Sequence, residues 1–181
     1  MAYIQPRDPQ APLIRRVDTA QLLLYVSLRL AKLDSIEDVG KQAASPFAHT
    51  SKVAYPAGVA QKTTINKSDC LLADNITVES KAIIKESVIG ANCHIKTGAK
   101  LTRCVLMDGA VVGERCELAG CIIGRRAQIG QSSILLDCQV QEGNVIPEET
   151  EAKTQNFMVF EGLDASDDGE AEENGFEMED I

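Results

Sequence analysis

From Leu72 onward the chain follows a 17-residue period, and no other feature limits its fold so strongly. Set in rows of that length it reads LADNITVESKAIIKESV, IGANCHIKTGAKLTRCV, LMDGAVVGERCELAGCI and IGRRAQIGQSSILLDCQ, followed by VQEGNVIP from Val140. Within each row Leu, Ile or Val recurs after six, six and five residues. Fourteen sites follow, from Leu72, Val78 and Ile84 in the first row to Val140 and Ile146 in the last, and all fourteen are aliphatic. Side chains alternate along a strand, so the residue two before each of these points the same way. Twelve of those fourteen are Cys, Ala or Ser, and they include all six cysteines of the chain: Cys70, Cys93, Cys104, Cys116, Cys121 and Cys138.

One bulky and one small residue per six positions is what a narrow three-sided coil needs. Three short strands form a triangle whose interior takes one large side chain per face and a small one near each corner. Coils stacked about 4.8 Å apart place like over like and pair their backbones in parallel ladders. Gly90, Gly113, Gly124 and Gly130 each follow an aliphatic site. There they are expected to provide a permissive backbone at the corners.

Residues 1–58 read as a linker. Pro6, Pro9 and Pro12 with Arg7, Arg15 and Arg16 suggest an extended lead-in from something upstream. After it, Leu22, Leu23, Val26, Leu30 and Leu33 recur at helical spacing behind Asp18 as N-cap, which predicts a helix over about 19–33. A connector over 34–58 follows, with a short helical turn at SIEDVGKQ. The solenoid is then expected over 59–147. A cap segment over 148–160 is expected to fold its FMVF run over the last coil, because open strand edges invite aggregation.

The charge of −9 is localised. Residues 161–181 carry ten acids and no Lys or Arg, leaving 17 acids against 18 bases in residues 1–160. That segment reads as a disordered acidic tail. The chain has neither a membrane-length apolar run nor a signal-peptide start, and it reads as cytosolic, with reduced thiols.

The repeat is the hexapeptide pattern, and the chain resembles the left-handed parallel β-helices of acyltransferases and of the C-terminal domains of sugar-nucleotide pyrophosphorylases. Handedness comes from that resemblance, since the general crossover preference is right-handed. The stretches PRDPQAPLIRRVDT, SVIGANCHIK and LTRCVLMDGAVVG more closely resemble the gamma-subunit family of eukaryotic translation initiation factor 2B. Likeness is clear over about 60–147 and partial over 5–33. It implies a non-catalytic, structural and regulatory subunit of a cytosolic complex that exchanges guanine nucleotide on initiation factor 2. Implied partners are the epsilon subunit and the other subunits of that complex, with initiation factor 2 as the client G protein. Two alternatives stand beside it: a hexapeptide-repeat acyltransferase, and the β-helix tail of a sugar-nucleotide pyrophosphorylase.

The residues themselves offer little chemistry. The cysteines fall on inward positions, so they read as small core residues rather than zinc ligands or disulfide partners, although Cys104, Cys121 and Cys138 stack one coil apart. His94 precedes an inward aliphatic and should face solvent, and His49 lies in the connector. Neither sits in an inserted loop of the kind an acyltransferase base needs. A glycine-rich phosphate loop and a basic patch interleaved with aromatics are both missing from the sequence. The expectation is therefore no catalytic residue, cofactor, metal or direct nucleic-acid contact. Leu71, Val88, Val105 and Ile122 point outward and recur once per row, stacking as an apolar stripe. Such a stripe marks an interface, either with a partner subunit or with the chain's own helix.

Overall fold

A computed structural model describes residues 17–32, 53–54 and 56–158. The connector turn at SIEDVGKQ, Leu33, His49, the proline-rich lead-in and the acidic tail lie outside the described residues.

The periodic region forms a three-sided parallel solenoid, its three faces being sheets of six, six and five strands. The register of the rows holds along each face. Leu71 pairs with Val88, Val88 with Val105, Val105 with Ile122 and Ile122 with Gln139. Backbone amides follow the same ladder: Val88, Val105 and Ile122 donate to the carbonyls of Cys104, Cys121 and Cys138 at 2.9, 2.9 and 3.0 Å. All fourteen aliphatic sites are buried, as are thirteen of the small sites, with Asn144 half-buried.

Each thiol closes a hydrogen bond to backbone above it. Cys104 Sγ donates to the Leu118 carbonyl at 3.4 Å, Cys116 to Gly130 at 3.0 Å and Cys121 to Leu135 at 3.2 Å. Buried hydroxyls behave alike, Ser87 Oγ donating to the Lys85 carbonyl at 2.7 Å while accepting from Cys104 N at 3.2 Å. Among the described residues no buried side-chain nitrogen or oxygen lacks a partner, as a dry core requires.

The glycines work differently from the expectation. Left-handed backbone falls one residue before the small inward site, where Asn92, Arg103, Arg115, Arg126, Ser132 and Asp137 have φ between 51 and 56°. Gly90, Gly113, Gly124 and Gly130 are not among the positive-φ residues. What requires glycine there is the approach of the next coil. A Cβ on Gly90 would lie 2.8 Å from Asp108 N, and one on Gly113 would lie 2.6 Å from Gln131 N.

Both ends of the solenoid also depart from the expected 59–147. At the start, Val53 bridges to Leu72 and Val59 to Val78, while Ile65 pairs with Ile84. This first coil is longer than the rows that follow, because two extra positions are accommodated in the turn after Ile65. There the Asn66 amide donates to Asp69 Oδ2 at 2.7 Å. At the other end strands continue at Glu151–Lys153 and Asn156–Phe157. Phe157 pairs with Val140 and extends the ladder, while Val159 and Phe160 of the expected cap lie outside the described residues.

One helix precedes the solenoid: α1, Ala20–Ala31. Its N-cap is Thr19 rather than Asp18, the Thr19 hydroxyl accepting from Leu22 N at 3.2 Å. No helix among the described residues is long and apolar enough to cross a membrane.

Candidate partner-docking face

The stripe Leu71, Val88, Val105 and Ile122 lies on one sheet, as alternation demands, but it is not a free surface. Val105 is 6% and Ile122 8% exposed, and Leu71 and Val88 are half-buried. α1 packs across the strands Val88–Ile89 and Val105–Leu106. Of the two occupants the sequence left open, the chain's own helix covers the middle of the stripe. Its residues Ala20, Leu24 and Leu28 line the groove that opens beside this contact. Ala31 is its one fully buried residue.

Beside the helix a groove opens among the described residues. It has a volume of about 590 Å³ and runs between α1 and the next strands, floored by Ile122 and Gln139 and walled by Leu24, Tyr25 and Leu28. Arg29, Lys32, Glu86, Arg103, Asp137 and Thr154 form its rim. Lys32 Nζ lies 3.6 Å from Glu86 Oε2, and Arg29 donates to the Tyr25 hydroxyl at 2.8 Å. Tyr25 is 57% exposed, and Leu22, Leu23, Val26 and Leu30 are half-buried, so α1 is apolar around most of its circumference. A helix of that kind packs on more than one side.

Sequence reasoning missed the rim. Arg103, Asp137 and Thr154 occupy the same corner of their coils, and the row alignment places them in one column. Their register was legible, but their meeting with Tyr25 and Arg29 depends on where the helix docks.

Four of the six thiols are held protonated, and Cys104, lowered by its hydrogen bond with Cys121, is buried beside that partner. All six are free and buried. Burial pushes the Cys70 thiol up to about 11 and raises Cys93 and Cys116 as well. Cys121 is raised further, first by its hydrogen bond with Cys104 and then by burial. A thiol held neutral is a poor nucleophile and a poor metal ligand. Among the described residues no three of His, Cys, Asp and Glu gather into a group that would hold a metal ion.

His94 faces outward and leans on a neighbour, its Nε2 2.9 Å from Glu79 Oε1. Glu79 is fixed from its other oxygen, which accepts from Thr97 Oγ1 at 2.7 Å and Thr97 N at 3.0 Å. The Thr97 hydroxyl, and after it His94, hold the Glu79 carboxyl below its usual range. The arrangement knits one coil to the next on an open face.

Three in-register parallel sheets, a 17-residue coil after the longer first one and an interior of alternating large and small side chains define a left-handed parallel β-helix of hexapeptide repeats. The family model of the GMPPB C-terminal domain, a hexapeptide-repeat domain of sugar-nucleotide pyrophosphorylases, matches residues 66–160. The chain belongs to that family.

No curated protein matches the chain. Among solved structures it is similar to a variant of perosamine N-acetyltransferase from Caulobacter crescentus, crystallised with CoA and GDP-perosamine. That likeness has 19% identity and a TM-score of 0.43 over 66% of this chain and 57% of that one. A hexapeptide transferase family protein from Anaplasma phagocytophilum shares 20% identity, with a TM-score of 0.29 over 53% of this chain and 69% of that one. The chain thus spans little more than half the length of the acetyltransferase.

Proposed function

We propose that this chain is the non-catalytic, C-terminal β-helix portion of a subunit of the sugar-nucleotide pyrophosphorylase type, and that it works by assembly. The observation that carries this reading is the helix-covered face. Besides the groove, α1 is apolar around most of its circumference, with Leu22, Leu23, Val26 and Leu30 half-buried outside the groove lining, a surface suited to a protein partner. The neutral thiols and the His94–Glu79 pair, tied into inter-coil contacts, offer no nucleophile or free base.

The family match favours the β-helix tail of a sugar-nucleotide pyrophosphorylase more directly than it favours an exchange factor. A second reading is the gamma subunit of initiation factor 2B, held by its epsilon partner in the cytosol. It is favoured by PRDPQAPLIRRVDT, SVIGANCHIK and LTRCVLMDGAVVG.

Affinity capture of the whole natural protein from native cytosol, with mass spectrometry, separates the two. Recovery of the other initiation factor 2B subunits favours the exchange factor. Capture of its own copies or a second pyrophosphorylase-type subunit, with nucleotidyl transfer in the eluate, favours the sugar-nucleotide enzyme. A homotrimer that binds acyl-coenzyme A overturns both, because the β-helix then belongs to an acyltransferase.

A further inference from the structure

We propose that the acidic segment 161–181 is the occupant of the groove beside α1, docking back onto its own chain. The groove has a floor of Ile122 and Gln139 and a cationic side in Arg29, Lys32 and Arg103. Lys32 already faces Glu86. Arg103 is exposed and makes no ion pair among the described residues. Asp137 is the opposing charge on the rim, so an entering anion is drawn toward the Arg29 and Arg103 side.

The groove does not end at Gln139. A second hollow of about 490 Å³ shares Ile122 and Gln139 with it and is lined by Arg125, Glu142, Phe157 and Met158. Glu142 is engaged by Arg126 at 2.8 Å, while Arg125 makes no ion pair among the described residues. Met158 is the last described residue and is 54% exposed. The chain therefore enters its acidic segment from the wall of a hollow that leads past Arg125 into the groove. Ten carboxylates and no Lys or Arg follow.

Reach and concentration favour the contact. An extended chain spans about 3.3 Å per residue, so 161–181 is long enough to cross the face. A short tether sets an effective concentration in the millimolar range, so contacts too weak to hold a free peptide hold a tethered one. Exposed charge pairs are weak singly and are screened by salt, so docking of this kind is reversible and sensitive to ionic strength.

The test uses the full 181-residue chain with a nitroxide on Ser166→Cys, which is selective because the native thiols are buried. Amide signals of Leu24, Leu28 and Gln139 are expected to lose intensity, while those of Thr64 and Ile65 at the opposite end keep it. The loss should vanish in about 1 M salt, where the screening length is about 3 Å. It should also vanish in Arg29→Gln/Arg103→Gln, whose fold is checked by its unchanged solenoid amides. Broadening confined to the neighbourhood of Met158 would overturn the proposal. So would broadening that survives both salt and the double substitution. Broadening in an unlabelled isotopic chain mixed with labelled chain places the segment on a second copy and overturns the intramolecular form. Should the double variant misfold, the salt series on the parent chain decides alone.

Discussion

Val105 and Ile122 pair in register on adjacent coils with both side chains pointing away from the interior, yet they are only 6% and 8% exposed. α1 is the reason for Val105, lying across its strand. Val105→Asp should therefore release the helix rather than unfold the coil, since undocking lets the carboxylate reach water. The cost is the lost burial, about 2 kcal/mol. Hydrogen exchange checks it: amides of Leu23 to Ala31 lose protection while those of Leu101 and Leu118 retain theirs. Retained protection across α1 would show that the helix does not depend on this face.

The thiols predict an alkaline limit. Cys70 is raised from 9.0 to about 11, and Cys93, Cys116 and Cys121 are raised also. Cys104 is lowered by its hydrogen bond with Cys121 and works against them, so on balance of four against one the folded chain keeps protons that the unfolded chain gives up. Their contribution to stability is complete below about pH 9 and is lost as the pH rises from there through the folded values. Urea midpoints should be flat in this respect below that point and fall above it. Cys70→Ala, Cys93→Ala, Cys116→Ala and Cys121→Ala combined should flatten that fall. A thiol reagent should label no cysteine of the native chain at mildly alkaline pH, and rapid labelling would contradict the burial.

Glycines at two kinds of position should respond in opposite ways. Gly113→Ala pushes a Cβ to 2.6 Å from Gln131 N and forces two coils apart, at a cost of about 1–3 kcal/mol. Gly143 has φ +70° and nothing within 4 Å of its Cβ position. Gly143→Asn is consequently nearly neutral, because Asn tolerates left-handed backbone. Thermal melts of the two variants give the comparison, and equal losses would refute the distinction.

Solenoid stability is close to a sum over neighbouring coils. Ile123→Ala empties a fully buried site between two coils and should cost about 2–5 kcal/mol. Phe157→Ala removes a partly buried ring from the last coil. It should loosen that coil alone, with amides of Val140 and Phe157 losing exchange protection while those of Ile95 and Ile84 do not. A global loss from Phe157→Ala would mean that the solenoid behaves as one cooperative block.

The interior was legible because its geometry repeats. Each row leaves one aliphatic and one small site per face, and the fourteen positions from Leu72 to Ile146 obey it without a gap. The last coil escaped notice where the pattern weakened: Ala152 and Phe157 stand where Leu, Ile or Val is expected, preceded two residues earlier by Thr150 and Gln155. A terminal coil has a neighbour on one side only, so it tolerates these residues. The first coil was obscured by the two extra positions near Asn66, which lengthen it and break the column alignment. Gly90 and Gly113 were placed correctly but explained wrongly, since the distance between coils is not visible in a single row.

By itself the sequence determined the coil length, the inward set and the outward direction of Val105, because alternation and stacking are local rules that each residue obeys with its neighbours. Only the tertiary structure decided what lies on Val105. The stripe suits any apolar partner, and the choice of α1 depends on how a helix that ends at Ala31, far upstream of the periodic rows, returns to the sheet. The meeting of Arg103 with Tyr25 and Arg29 around one groove follows from that docking, and no periodicity encodes it.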